Sequence, residues 1–330
     1  MGSPVRIALV GLGDIAVRAH LPALQRDDRA ELAAVVDVDE ARLVAASALV
    51  PGVRASGSVE DVLQDDSIDA VILATPAWVT PGLVRAALEA GKYVLAEKPL
   101  APTLAEQLEL RSLPGVTERL QVGLTYRHHP AVDRLRELVA SDGLGRPLYI
   151  QASVCDERAD PVGEPENYAR RLRALEHGLP IVLDGIHACD RLNLLFGEAP
   201  VDLTAWALTS SPDYASPNVN GAALTYGDGS IVRLEVIWLY PVLPPSQFVV
   251  TGPRGRAVLH PPTFELRIEI DGKTEVVSPP GDKTESCFAL QLERFLTACS
   301  EGTAPVPGLK DALAASELCE QIANACLQRG

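Results

Sequence analysis

The chain reads as an α/β protein: an N-terminal doubly wound parallel sheet, then an α+β domain built on an open, mostly antiparallel sheet. Three observations carry that expectation. An apolar run rich in β-branched residues, Val5, Ile7, Leu9 and Val10, feeds the turn Gly11-x-Gly13-x-x-Ala16. Strand-like and helix-like stretches alternate through the first third. Beyond Pro200, helical periodicity gives way to short strand-like runs with turn signals between them.

Each small residue of the turn has a physical task. The first permits the tight turn, the second lets backbone amides approach a pyrophosphate, and the third lets the helix pack on the strand, which is a Rossmann arrangement. Gly11, Gly13 and Ala16 fit these tasks, and Asp14 and Ile15 open the helix whose N-terminus supplies a positive end. Residues 32–36 form a second apolar run ending in Asp37, 21 residues past Ala16, where an acidic side chain meets the adenosine ribose 2′-OH. Asp37 can accept from both ribose hydroxyls and repels a 2′-phosphate, and no Arg or Lys follows at 38 or 39. NAD rather than NADP is therefore expected. The plainer reading of Asp37 is a turn or cap residue.

With 330 residues, 47% of them hydrophobic and 22% charged, the chain can bury a sizeable core and supports two domains. They are expected at 1–123, binding a dinucleotide, and 124–330, binding substrate and forming an oligomer. A net charge of −15 argues against nucleic acid and anionic membrane as partners. The N-terminal MGSP runs directly into the first strand without a signal-peptide pattern, and no apolar run is long enough to span a membrane. Six cysteines, at 155, 189, 287, 299, 319 and 326, show neither CxxC nor metal spacing. Reduced thiols in a cytoplasm are expected, and no metal.

In chain order, residues 17–24 continue the first helix, with His20 on an exposed or cofactor-facing side in a structural role. A helix over 40–49, a short strand over 53–56, a helix in the acidic stretch 60–69 and a strand over 70–74 follow. That strand ends in Thr75-Pro76, where a ligand crosses the carboxyl ends of the strands. Helix 81–90 stops at Gly91, a C-cap residue. Strand 93–96 then runs into Glu97-Lys98-Pro99. Lys98 is read either as a surface ion pair at a turn or as an ammonium that donates a proton to an oxygen as hydride moves.

Together, Gly11-x-Gly13-x-x-Ala16, Asp37, Thr75-Pro76, Glu97-Lys98-Pro99 and the GLTYRHHP segment at 123–130 resemble the Gfo/Idh/MocA oxidoreductases over nearly the whole chain. The resemblance implies an active-site role for Lys98, cofactor contacts from Thr75, Pro76, Glu97, Lys98 and Arg127, and a second subunit covering the open sheet. Two motifs depart from the family pattern. Thr125 stands where an Asn is usual, and Ala77 and Thr80 replace an Asn and a His, with Thr80 still able to hydrogen-bond.

Residues 131–143 read as a helix and 148–154 as the strand opening the second domain. The polar stretch 156–178, with Tyr168 and Arg171, is a solvated segment or a lid over substrate. Helical periodicity runs from Ile186 to Phe196 with a stop at Gly197, and Asp184, His187 and Asp190 can share one face. An Asp and His on a helix make either a satisfied core histidine or a site. The resemblance implies that this His acts as acid or base alongside the lysine, with an Asp four residues before it; Asp184 is one residue out of that register. Strands are expected over 203–208, 221–226, 230–238, 247–251, 257–260, 265–270 and 274–278, then helices over 287–300 and 309–328. Phe288, Leu292, Phe295 and Leu296 form a core stripe.

The resulting expectation is a cytoplasmic, homodimeric or homotetrameric NAD-dependent dehydrogenase or reductase acting on a hydroxyl or keto group of a sugar, cyclitol or related small polar molecule. Lys98 and His187 carry the chemistry, Asp184 orients His187, and Tyr126, Tyr168 and Arg171 contact substrate. Two other classes stay open: an enzyme using NAD in a redox-neutral glycosidase or epimerase reaction, and a non-catalytic dinucleotide sensor.

Overall fold

The computed structural model describes residues 3–278 and 281–328; Met1 and Gly2 of the N-terminal reading, and the last two residues of the expected second domain, lie outside them. The chain forms two compact units. The first is Met1–His128 with Thr284–Leu313, the second His129–Lys283 with Ala314–Gly330.

In the first unit, β1 (Val5–Val10), β2 (Ala30–Val36), β3 (Arg54–Ser56), β4 (Ala70–Leu73), β5 (Tyr93–Ala96) and β6 (Leu120–Val122) make one sheet in the order 3-2-1-4-5-6. All five pairings are parallel. The strand order reverses between β1 and β4, which opens a crevice at their carboxyl ends. Both strands are buried on both faces, as their unbroken apolar runs require. The first helix is not uniform: a π-helical turn, Ala16–His20, precedes α1 (Leu21–Arg26). Then come α2 (Glu40–Leu49), α3 (Glu60–Leu63), α4 (Thr80–Glu89), α5 (Leu104–Glu109) and α6 (Val116–Arg119). The acidic stretch yields only the four residues of α3. Asp65 accepts from the Ser67 backbone N–H at 2.9 Å, and that local turn competes with the helix.

The second unit carries β7 (Tyr149–Glu157), β8 (Asp202–Leu208), β9 (Val219–Thr225), β10 (Ile231–Trp238), β11 (Gln247–Gly252), β12 (Gly255–His260), β13 (Glu265–Ile270) and β14 (Lys273–Val277). They form one sheet in the order 14-13-12-11-7-10-9-8. Only β7 and β10 pair in parallel, so the sheet is open and mostly antiparallel. Helices α7 (Pro130–Ala140), α8 (Pro165–Leu175), α9 (Pro180–Leu183) and α10 (Ile186–Phe196) belong to this unit, and α7, α9 and α10 pack on the sheet. Along β10, Val232, Leu234, Val236 and Trp238 are buried while Ile231 and Arg233 are exposed, the period of two expected for a sheet with one covered face.

Two long helices close the chain, α11 (Lys283–Glu301) and α12 (Leu309–Leu327). A linear boundary after residue 123 assigns both to the second domain, whereas residues 284–313 return to the first unit. Phe288, Leu292, Phe295 and Leu296 insert into the cluster formed by Val5, Leu9, Leu24 and Ile72. Each such side chain contributes about 1.5–3 kcal/mol when buried, and periodicity does not specify which core receives them.

Candidate active site

The glycine turn and the end of β2 are joined by hydrogen bonds. Gly11 donates to Val36 O at 2.8 Å, and Leu12 N–H donates to Asp37 Oδ2 at 2.7 Å. The Asp39 N–H fills the other oxygen at 2.9 Å. Asp37 is thus buried, in the cap-like role that a short acidic side chain performs, while standing where a ribose would meet it. Gly11 has φ +84°, and a Cβ there would lie 2.6 Å from Ala74 O, so only glycine fits. At Gly13 a Cβ would meet nothing within 4 Å. That open space beside the first helical turn fits a diphosphate. Asp14 turns to solvent and pairs with Arg18 at 2.7 Å, Ile15 is exposed, and Ala16 is fully buried against the sheet.

Thr75 and Pro76 follow β4, next to β1 in the sheet. Thr75 Oγ1 lies 2.9 Å from Thr80 Oγ1. Thr80 is fully buried, and its hydroxyl also faces Thr75 O and Pro76 O at 3.2 and 3.1 Å. Thr80 does hydrogen-bond, and it does so within its own turn, because a hydroxyl at the start of a helix finds nearby carbonyls.

Glu97 and Lys98 follow β5, beside β4. Glu97 is 9% exposed; its Oε1 meets His20 Nε2 at 2.9 Å and its Oε2 faces the Lys98 N–H at 3.3 Å. Lys98 is half-buried. His20 is buried rather than exposed or cofactor-facing, since the π-turn directs it to the interior. Arg127 pairs with Asp311 at 2.9 Å, with a side chain only 10% exposed. Thr125 donates to Gln291 Oε1 at 2.8 Å and is buried. Tyr126 is half-buried in the turn Thr125–His128.

In the second unit the structure brings Arg171 and Asp184 together. Arg171 Nη1 donates to Asp184 Oδ2 at 3.1 Å, Nη2 pairs with Glu157 Oε1, and the guanidinium stands 4.6 Å over the Trp238 ring. Side-chain exposures of 12–19% for the three charged groups make this a largely enclosed cluster. Asp184 lies outside the helix that carries His187 and Asp190. Asp184 closes α9, its N–H donating to Pro180 O at 2.9 Å, and α10 starts only at Ile186. The break is tight, as a Cβ on Gly185 would lie 2.5 Å from Ile181 O. His187, in the first turn of α10, is half-buried, whereas Asp190 is buried. The polar stretch 156–178 contains helix α8, which carries Tyr168 and Arg171. Tyr168 stands by Tyr214, whose hydroxyl donates to Leu239 O at 3.0 Å; burial first, then the Tyr168 hydroxyl, pushes Tyr214 up to about 12.

Sequence reasoning missed Arg42, one helical turn past Asp39, whose Nη1 lies 3.7 Å from Asp37 Oδ2. It also missed Val38, 95% exposed after β2, and Trp78, 53% exposed after β4. Apolar residues at strand ends around the crevice were the available signal. Glu157 gave none, since its role depends on Arg171, fourteen residues away.

A six-stranded doubly wound sheet, a glycine turn opening a helix and an acidic residue ending the second strand define a dinucleotide-binding domain. Residues 5–120 match the model for the oxidoreductase family's NAD-binding Rossmann fold, and residues 132–258 match the GFO/IDH/MocA C-terminal domain. The chain belongs to the GFO/IDH/MocA oxidoreductase family. It is 28% identical to inositol 2-dehydrogenase 2 of Paenarthrobacter aurescens, over 95% of this chain and 93% of the relative. It is 29% identical to D-xylose 1-dehydrogenase (NADP(+)) 2 of Haloferax volcanii, over 90% of each. An oxidoreductase from Agrobacterium radiobacter, solved with NAD+, L-tartaric acid and magnesium, shares the fold with a TM-score of 0.81 at 20% identity, over 99% of this chain and 98% of that one. Among the described residues no helix is long and apolar enough to cross a membrane.

Proposed function

We propose that this NAD-binding oxidoreductase interconverts a hydroxyl and a keto group on a neutral sugar or cyclitol, with Lys98 as proton donor or acceptor at the reacting oxygen. The observation that carries the reading is the place of Lys98. It follows β5, whose neighbour β4 pairs with the β1 that delivers the glycine turn. A lysine at that edge stands where a nicotinamide would lie. The bound dinucleotide supplies the hydride acceptor or donor. Lys98 stabilises charge on the oxygen as the proton moves, and His187 serves as a second acid or base. Asp37 holds the adenosine ribose, the turn at Gly13 admits the diphosphate, and Tyr126 and Tyr168 contact substrate. Arg171 acts differently: two carboxylates neutralise it, so it orders Asp184 rather than binding an anionic substrate.

We further propose a homodimer or homotetramer joined through the outer face of the eight-stranded sheet. Tyr149 and Ile231 are 43% and 45% exposed there, and the Trp206 indole occupies the space over Gly221. All six cysteines are free thiols, which supports a reducing compartment such as the cytoplasm.

A nicotinamide absorbance screen over neutral sugars and cyclitols, run with the parent protein and Lys98→Met, tests the function. Turnover in the parent and its loss in the variant is expected. Consumption of a sugar without net absorbance change assigns a redox-neutral reaction. Tight NAD binding with no turnover on any sugar assigns a sensor.

A further inference from the structure

His20 and Glu97, 77 positions apart, meet at 2.9 Å in the interior of the first unit. Nε2 and Oε1 share one proton across this contact. The other Glu97 oxygen faces the Lys98 backbone N–H at 3.3 Å. Gly123 leaves room for this carboxylate: a Cβ there would come within 2.9 Å of Oε2. Behind the imidazole, Phe288 stands edge-on with ring centroids 4.9 Å apart. His20 ends the π-helical turn that begins three residues after Gly13. Such turns are rare and gather at functional positions. Here the turn leaves Ala19, His20 and Leu21 successively buried, which a helix with one apolar stripe does not do.

We propose that His20 is a positioning residue that, through Glu97, ties the helix opened by the glycine turn to the main chain of Lys98. The dinucleotide end of the first unit and the start of the lysine side chain are thereby set as one piece. Packing alone would allow the loop after β5 to slide against the helix. A hydrogen bond to a buried carboxylate is directional and does not. The catalytic consequence rests on the role proposed for Lys98.

The test compares the full chain with His20→Leu and His20→Gln, the second of which reaches as far as Nε2 and keeps a donor. Four quantities are read: melting temperature, NADH affinity, turnover, and the rate at which an amine-acylating reagent modifies Lys98 relative to exposed Lys310. His20→Leu is expected to bind NADH within about threefold of the parent, to change the Lys98 labelling ratio by about threefold or more, and to lose about 10²-fold in kcat at nearly constant KM, the scale of a reacting group misplaced by an ångström. His20→Gln restores most of both. A lowered melting temperature with unchanged labelling and kcat overturns the proposal. The labelling ratio needs no substrate, so absence of turnover would count against the role of Lys98 while the tie to His20 is still decided. Should His20→Leu fail to fold, Glu97→Gln keeps the shape and one acceptor oxygen; an unchanged labelling ratio there also overturns the proposal.

Discussion

Arg42 Nη1 stands 3.7 Å from Asp37 Oδ2, a basic side chain poised beside the acid that ends β2. In the parent, Asp37 is held by two backbone N–H groups and would repel a 2′-phosphate, so NAD is expected to bind about ten- to a hundredfold more tightly than NADP. Asp37→Ser removes the repulsion and leaves Arg42 for the phosphate, narrowing or reversing that ratio. Dissociation constants for both cofactors check it, and tighter NADP binding by the parent would refute the role of Asp37.

Lys98→Met keeps much of the side-chain volume and removes the charge. Turnover should fall by about 10²- to 10⁴-fold with NAD affinity little changed, the range for a lost positioned acid or base. A variant that binds NAD poorly yet turns over normally when saturated would make Lys98 a cofactor ligand instead.

Arg171 sits between Glu157 and Asp184. Arg171→Met leaves two enclosed carboxylates facing each other, and with their partial exposure the expected cost is about 1–3 kcal/mol in urea unfolding. Asp184→Asn should cost less, and the double variant should cost less than the sum. Strict additivity would show that the pair contributes no coupling.

Burial first, then the charges of Arg294 and Arg127, lowers His128 from 6.5 to about 3. Between those values the unfolded chain binds a proton that the folded chain does not. Stability from this group is therefore full above pH 6.5 and declines as pH falls toward 3. At pH 5 the loss relative to pH 7.5 is about 2 kcal/mol. His128→Leu should flatten the profile in that window, and an equally steep profile would place the effect elsewhere.

Arg233, 6.0 Å over the Trp206 ring, lies on the sheet face proposed to join subunits. Trp206→Glu should shift the chain toward monomer in light scattering at micromolar concentration while leaving NAD affinity intact, because it adds a charge to an interface core. A parent that is already monomeric would count against the interface.

The glycine turn, Asp37, the ends of β5 and α10, and the alternation along β10 could all be read from the chain, since each follows from local backbone sterics or from a period of two or 3.6. Distance along the chain marks where local rules end. That the stripe Phe288, Leu292, Phe295 and Leu296 fills the first core was not legible, because an apolar face specifies burial and not its partner. Asp184 falls outside the helix of His187 because α9 ends at Leu183 and α10 starts at Ile186, with Gly185 packed closely against Ile181. The pairing of His20 with Glu97 depended on a π-turn and on a sheet that carries β1 and β5 on either side of β4. Sequence alone thus determined the fold class and the dinucleotide-binding edge. Tertiary structure decided which charges neutralise one another, because a buried hydrogen bond is made by whatever group the packed chain brings within 3 Å.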